Sequence, residues 1–198
     1  MAAKTKQPAI RKKRATSPAL TPKQFSTIVD LVHRFLATKE TTQLFVELLK
    51  HLCDVISDNY FPQFYFGVSL YFVEKYPESI KVLEKVQKLK PKDPQFYNHL
   101  GLDYALVGKF DKALENIEKS IKMDPSNIDS VCCHYEIYAL MNEYDKAREV
   151  LKKELKSGKI SLKKFCQRQK NFLNSRFCQK WERKILTDLS NDLCSSKV

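Results

Sequence analysis

Glycine is scarce in this chain, with 4 residues among 198, whereas average usage is roughly 7%. Turn-rich β-sandwiches and barrels need glycine where the backbone has positive φ, and so do loops that bind phosphate groups. Long apolar runs are missing as well, because no stretch of 18 or more apolar residues occurs, and a membrane-spanning helix requires one. These absences argue against a β fold, a phosphate-binding loop and a membrane span.

A secretory signal and a cysteine motif are also missing. Residues 1–21 are basic and have no apolar core of the kind that a signal peptide carries. The six cysteines contain no C-x-x-C pair and have no partnering histidine cluster, which is typical of reduced thiols in the cytosol. We therefore expect a cytoplasmic protein with reduced cysteines and without a bound metal or cofactor. The cysteines are Cys53, Cys132, Cys133, Cys166, Cys178 and Cys194.

Catalytic motifs are absent too, since the chain has no GxSxG, HExxH, Walker-type or dinucleotide-binding pattern. Cys132 and Cys133 are adjacent on a predicted helix, so their side chains diverge by about 100° and cannot bind one metal together. We expect both to act as small hydrophobic residues. The four histidines share no spacing, and we expect them to be structural rather than catalytic: His33, His51, His99 and His134. The sequence predicts a protein that is not an enzyme.

The net charge of +12 is concentrated at the two ends of the chain. Residues 1–24 carry a net charge of +7, residues 25–157 carry −2, and residues 158–184 carry +8. A domain that binds nucleic acid through its core is expected to carry the positive charge on that core. Here only the ends are basic.

The sequence repeats itself at an interval of 34 residues. Helical patterning within such a period is the signature of a solenoid built from helix pairs. The repeated positions are Gly67 and Gly101; Pro91 and Pro125; Tyr76, Phe110 and Tyr144; Ser79, Ala113 and Ala147; and Leu83, Ile117 and Leu151.

The central unit, residues 94–127, resembles the tetratricopeptide repeat family. Set on the family pattern W-L-G-Y-A-F-A-P, five positions are identical and three are conservative changes. The residues at these positions are Tyr97, Leu100, Gly101, Tyr104, Ala113, Ile117, Ser120 and Pro125.

The two neighbouring units match the pattern less well. Residues 60–93 keep Gly67 and Pro91 but have Gln63 and Leu70 at the aromatic positions. Residues 128–161 keep Tyr138 and Ala147, whereas Tyr135 replaces the glycine and Lys159 replaces the closing proline. The resemblance covers about half of the chain.

The resemblance implies an all-α fold, a right-handed superhelical array of antiparallel helix pairs with flanking capping helices. Three units are expected at 60–93, 94–127 and 128–161. Apolar spacing predicts earlier helices at 25–37 and 43–56, so that 23–59 is either a cap or a degenerate repeat. Residues 1–22 are expected to be a disordered basic tail, and 162–198 to form basic capping helices, with helical pattern from Ser161 to Leu193.

Capping residues predict where several helices begin and end. Asp93 before Pro94 is typical of a helix start. Asp111 and Asp145 are expected to cap the second helices of their units, and Pro77 holds the equivalent place in the first. Pro91 and Pro125 are expected to stop the second helices, because proline cannot continue the hydrogen-bond ladder.

In this family the concave groove is lined by positions 2, 5, 9 and 12 of each unit, which share one helix face. The resemblance therefore implies a groove that binds a partner polypeptide, apolar in the first unit and acidic in the third. Two interpretations of Phe61, Phe64 and Tyr71 remain open, an open groove or packing against the N-terminal hairpin. The implied groove residues are Phe61, Phe64, Val68 and Tyr71; Gln95, Asn98, Leu102 and Ala105; and Asp129, Cys132, Glu136 and Ala139.

Some family members hold the acidic C-terminus of heat-shock chaperones in a clamp of lysine, arginine and asparagine side chains. Here Phe64, Val68, His99, Asp129 and Cys133 stand at the clamp positions, and Asp129 would repel a carboxylate. We do not expect such a C-terminus as a partner.

The sequence thus predicts a non-catalytic adaptor or scaffold that binds a partner protein or peptide. One alternative is a small cytosolic chaperone for secreted substrates, since the chain is similar in size and repeat number to type III secretion translocator chaperones. A second alternative is an RNA-associated protein that uses its basic ends. The basic run at 11–14 could be a nuclear-import signal, a nucleic-acid contact or a solubilising tail, and the segment 163–184 a cap or a contact for an acidic partner or RNA.

Overall fold

The computed structural model describes residues 39–55, 60–89 and 91–174, together with the single residues Arg183, Thr187 and Cys194. Within these ranges the chain forms eight α-helices and no strand. The helices are α1 (Lys39–Val55), α2 (Tyr60–Phe72), α3 (Tyr76–Gln87), α4 (Pro94–Leu106), α5 (Phe110–Met123), α6 (Ile128–Leu140), α7 (Tyr144–Lys156) and α8 (Leu162–Leu173).

Consecutive helices pack as pairs, α2 with α3, α4 with α5 and α6 with α7. The first helices of successive pairs also touch, so that α4 lies between α2 and α6. Each second helix contacts the first helix of the next pair. This arrangement is a solenoid, and the predicted all-α fold of helix pairs is confirmed.

The turn inside each pair has the same backbone conformation at intervals of 34 residues. Lys75, Lys109 and Glu143 precede the second helices with φ near −91° to −94° and ψ near 58° to 63°. The residues just before them, Glu74, Gly108 and Asn142, all have positive φ, at 62°, 75° and 60°. Only one of these three turns uses glycine, which explains how a glycine-poor chain still makes this turn.

Glycine matters most where the two helices of a pair cross. A Cβ atom on Gly101 would lie 3.0 Å from the Ile117 side chain and 3.2 Å from the carbonyl oxygen of Ala113. In the third pair Tyr135 stands in place of the glycine, and its buried ring packs edge-on against Phe165 of α8. The close crossing therefore rests on small residues in the second pair, while the third pair directs a large ring toward the next helix.

The predicted start of α4 is confirmed, because Asp93 is its N-cap and accepts a hydrogen bond from the backbone N–H of Gln95 at 2.9 Å. The predicted caps Asp111 and Asp145 are wrong. Their helices begin one residue earlier, at Phe110 and Tyr144, so both carboxylates lie within the first turn. There they interact with the positive end of the helix dipole without capping a backbone N–H.

Other predicted boundaries differ by a few residues. Pro77 lies in the first turn of α3 rather than before it. The helix predicted to begin at position 43 begins at Lys39. Ser161 caps α8 through a hydrogen bond from the backbone N–H of Lys164. The proposed tail at 1–22 and the helix at 25–37 lie outside the described residues.

Helix α1 follows the burial pattern of the second helices. Phe45 and Leu49 are 6% and 5% exposed, and Ser79 and Leu83, which lie 34 residues later, are fully buried. Phe45 and Leu49 pack against α2 rather than against a more distant helix. This pattern is typical of the second helix of a further unit in which phenylalanine has replaced the small residue.

The prediction of reduced cysteines was wrong for one pair. Cys166 of α8 and Cys194 form a disulfide, with their Cα atoms 5.8 Å apart, within the range that a disulfide requires. The two residues are 28 positions apart in no recognisable motif, so spacing alone carried no signal for the pairing. Cys132 and Cys133 are free and buried, as expected for small hydrophobic residues.

Candidate partner-binding face

The inner face is defined here by α2, α4 and α6, the first helices of the three pairs, with α8 after them. The groove residues implied by the sequence all belong to these three first helices. They divide into a partly exposed set and a buried set. Partly exposed are Phe61, Gln95 and Asp129; buried are Phe64, Val68, Tyr71, Asn98, Leu102, Ala105, Cys132, Glu136 and Ala139.

The aromatic residues of α2 reach across to α4. The Phe64 ring lies 6.1 Å from that of Phe96 and 5.7 Å from that of His99, and the Tyr71 ring lies 6.1 Å from His99. Phe64, Val68 and Tyr71 are each only 5% exposed. The expectation of an open apolar surface at these three positions is therefore corrected, because large side chains fill the space between the helices.

The alternative expectation, packing against the N-terminal hairpin, concerns both α1 and the predicted helix at 25–37, and that helix lies outside the described residues. The α2 residues that pack against Phe45 and Leu49 of α1 are Tyr65, Phe66 and Phe72. Helix α2 is thus aromatic on two sides, one facing α1 and the other facing α4. The sequence pattern alone did not separate these two sides, since aromatic residues occupy almost every turn of the helix.

His99 is enclosed by this aromatic cluster. Burial lowers its pKa to about 4, although the nearby Asp93 and Asp129 carboxylates oppose the shift. Its Nδ1 atom has no hydrogen-bond partner among the described residues. The ring is therefore neutral at physiological pH.

A chain of polar contacts runs across the inner face from the first pair to the third. The Tyr60 hydroxyl donates to Asp93 Oδ2 at 3.0 Å. The side chain of Gln95 donates from Nε2 to Asp129 Oδ2 at 3.1 Å. Gln95 and Asp129 occupy the same position in successive units, 34 residues apart, so this bond joins α4 directly to α6.

Arg168 of α8 closes the acidic end of the inner face. Its Nε donates to Asp129 Oδ1 at 3.0 Å and its Nη1 donates to Glu136 Oε1 at 2.9 Å. The guanidinium also lies 4.9 Å from the centre of the Phe172 ring, a cation–π contact. Burial raises the pKa of Glu136, while the adjacent Arg168 opposes the shift. Sequence reasoning counted Arg168 only as part of a basic cap, because it had no means of pairing positions 39 and 32 residues apart.

The partly exposed groove residues of the inner face form a row of three chemically different side chains. Phe61, Gln95 and Asp129 offer an aromatic ring, an amide and a carboxylate on α2, α4 and α6. Such a row can contact an extended polypeptide through apolar and hydrogen-bonding groups. No group of three or more His, Cys, Asp or Glu side chains in the described part of the chain is placed to hold a metal ion.

A run of exposed lysines, called here the basic surface, spans the junction of α7 and α8. Six lysines are exposed within thirteen residues of sequence, and none forms an ion pair with a described acidic group. The ion pairs of α7 instead use Lys146 and Arg148, nearer its start. The six are Lys152, Lys153, Lys156, Lys159, Lys163 and Lys164.

A family model for the tetratricopeptide repeat matches residues 94–127, which contain α4, α5 and the crossing at Gly101. Residues 94–127 are thus similar to a tetratricopeptide repeat. The chain has no significant match among curated proteins. Around the repeat, α2 with α3 and α6 with α7 reproduce its helix-pair arrangement.

Solved structures with the same architecture include several of MamA. A crystal structure of MamA is 22% identical, with a TM-score of 0.50 over 68% of this chain and 84% of that one. MamA from residue 41 onward, from Desulfovibrio magneticus RS-1, is 19% identical with a TM-score of 0.51, over 68% and 70%. MamA of AMB-1 is 23% identical with a TM-score of 0.50, over 57% and 68%. At these identities the likeness shows the fold alone, a solenoid of helix pairs.

None of the helices in the described ranges is long and apolar enough to span a membrane.

Proposed function

We propose that this protein is a non-catalytic scaffold that binds a partner polypeptide along its inner face. The observation that supports the proposal most directly is the partly exposed row of Phe61, Gln95 and Asp129. The three side chains come from equivalent positions of three successive units, and the hydrogen bond from Gln95 to Asp129 aligns two of them. A row of this kind extends across the array and suits an extended segment better than a compact ligand.

The chemistry of the row defines the partner segment. Phe61 favours an apolar or aromatic side chain, because aromatic residues are common anchors at interfaces. The Asp129 carboxylate is 41% exposed although Arg168 pairs with it, so it favours a hydrogen-bond donor or a basic side chain. The partner segment would therefore carry an apolar residue that contacts Phe61 on α2. It would also carry a polar or basic residue that contacts Asp129 on α6, at the other end of the row.

Affinity capture with the full chain, followed by mass spectrometry, identifies the partner, and surface variants then test where it binds. The double variant Phe61→Ser, Gln95→Ala removes two members of the row and the hydrogen bond from Gln95 to Asp129, but it leaves Arg168 and both of its carboxylate partners in place. The matched control is Lys81→Ala, Lys85→Ala, which alters two exposed residues of α3. We expect loss of the partner with the first variant and full recovery with the control. Equal recovery with both variants would contradict the proposal.

A second candidate function is supported by the basic surface at the α7–α8 junction. Six exposed lysines favour a polyanion, and RNA is the polyanion that the basic ends of the chain also suit. Filter binding of single-stranded RNA tests this function. Binding that weakens steeply with salt, and that is reduced by Lys156→Glu, Lys159→Glu, would support it. Absence of RNA binding at low salt would contradict this second candidate function.

A further inference from the structure

Helix α1 carries a row of exposed leucines. Leu44, Leu48 and Leu52 are 65%, 49% and 37% exposed, and they recur every four residues, so they lie along one face over about 12 Å. Isolated exposed leucines are common on protein surfaces. Three in one row on one helix form an apolar surface of the kind that marks an interaction site.

The row is separate from the side of α1 that packs against the array. Phe45 and Leu49 face α2, and Thr42 and Val46 are buried as well. The leucine row lies next to this buried side but does not share it. In α3, 34 residues later, the equivalent residues are Glu78, exposed, Val82, partly exposed, and Val86, fully buried. Thus α1 departs from the repeat at these positions by exposing leucine where α3 exposes a charge or buries valine.

Charged residues border the row on its other side. Glu47 and His51 lie one helical turn apart on the flank opposite the buried side, as the helical period of 100° per residue requires, and both are exposed. One is acidic and the other basic when protonated, so the flank carries two complementary groups one turn apart. A flank of this kind can pair with a second copy of itself when the two helices run in opposite directions.

We propose that the leucine row is a self-association surface, on which α1 of a second copy of this chain packs in antiparallel orientation. With the two helices centred on Leu48, Leu44 of each copy lies opposite Leu52 of the other. Glu47 of each copy then lies beside His51 of the other, giving two equivalent polar pairs at the rim. A two-fold contact of this kind is self-complementary and closes at two copies.

The size of the row indicates a weak dimer. Stable interfaces bury about 800 Å² on each partner, and three partly exposed leucines supply only part of that area. We therefore expect a dimer that forms at roughly micromolar to sub-millimolar concentrations and dissociates on dilution. This surface is on α1, so it leaves the inner face free for the partner polypeptide of the proposed function.

Sedimentation velocity of the full chain over a range of concentrations tests the proposal. We expect the mass to rise from 23.1 kDa toward twice that value as concentration increases. Leu48→Glu should remain at the monomer mass. The matched control is Leu89→Glu, because Leu89 is also 49% exposed but lies after α3; it should dimerise like the wild type. Circular dichroism shows that each variant is folded, and Leu44→Glu replaces Leu48→Glu if the latter is not.

The rim pairs give a second, more specific test. Glu47→Lys should weaken the dimer by at least several-fold, because the new lysine faces His51 of the second copy. The double variant Glu47→Lys, His51→Glu exchanges the two groups and should restore wild-type dimerisation. A wild-type chain that stays at the monomer mass throughout would overturn the proposal. So would equal dimerisation of Leu48→Glu, or a double variant no better than Glu47→Lys alone.

Discussion

The hydroxyl oxygen of Ser79 lies 2.5 Å from Oδ2 of Asp103, and both side chains are fully buried. The same hydroxyl lies 2.8 Å from the carbonyl oxygen of Gly67. A hydroxyl has one proton, and the carbonyl can only accept it. When Ser79 donates to Gly67, the contact with Asp103 is satisfied by a protonated carboxyl group that donates to Ser79; when Asp103 is ionised, Ser79 donates to its Oδ2 instead. Burial raises the pKa of Asp103 well above its usual range, although the hydrogen bond with Ser79 opposes the shift.

Replacing this carboxyl group with an amide should stabilise the fold at neutral pH. Because folding raises the pKa of Asp103, the free energy of unfolding falls as the pH rises above the unfolded value of about 3.9. Asp103→Asn keeps a donor for Ser79 and removes that cost. We expect a gain of roughly 1–3 kcal/mol in urea denaturation at pH 7 and little gain at about pH 3.5. A loss of stability at pH 7 would contradict the assignment of a neutral Asp103.

His99 should make the fold less stable in acid. Its pKa is lowered to about 4 in the folded protein, whereas an unfolded histidine titrates near 6.5. As the pH falls through this window the unfolded chain takes up a proton and the folded chain does not, so the free energy of unfolding drops by up to about 3 kcal/mol.

The variant His99→Leu should flatten the stability profile between about pH 7 and pH 4 relative to the wild type. Asn171→Leu is the control, because Asn171 is exposed and has no titratable group, so that its replacement should leave the profile unchanged. Burial also lowers the pKa of His134, so a residual slope of the same sign is expected in His99→Leu. Identical profiles for His99→Leu and the wild type would show that His99 is not held neutral.

The crossing of α4 and α5 has no room for a side chain at Gly101. Gly101→Leu should lower the free energy of unfolding by about 1–3 kcal/mol, since even a Cβ atom would lie 3.0 Å from Ile117. Lys112→Leu adds the same side chain at an exposed position of α5 and should have little effect. The two thermal melts are compared. Equal melting temperatures for Gly101→Leu and the wild type would refute the assigned crossing.

The turn before α3 should be improved by glycine. Glu74 has a φ of 62°, a conformation that costs a residue with a side chain roughly 1 kcal/mol and glycine almost nothing. Glu74→Gly should therefore raise the free energy of unfolding by roughly 0.5–1 kcal/mol. The reciprocal change Gly108→Ala, in the equivalent turn, should lower it by a similar amount. Urea denaturation measures the change in the free energy of unfolding for each variant. Changes of the same sign would contradict a turn conformation shared by the two units.

Much of the array could be predicted because the repeat restricts particular positions. Gly101 must be small at the crossing, and Asp93 before Pro94 marks a helix start, so both features are visible in one sequence. The prediction that Asp111 and Asp145 are N-caps was wrong, because an acidic residue favours the first turn of a helix almost as much as the cap position. Their helices accordingly begin two residues earlier than a capping role requires.

The inner face was less predictable, because its character depends on contacts between units. Phe64 occupies a groove position of its helix, but whether it is open depends on Phe96 and His99 of the next pair. The pairing of Arg168 with Asp129 and Glu136, and the disulfide of Cys166 with Cys194, join residues that are distant in sequence. No local pattern specifies such pairs.

Site-specific photocrosslinking tests the proposed inner-face binding most directly. A photoreactive phenylalanine analogue is placed at position 61 on the inner face, or at position 81 on the exposed side of α3, in otherwise full-length protein. The captured partner should crosslink through position 61 and not through position 81. Crosslinking through position 81 alone would contradict a partner-binding inner face.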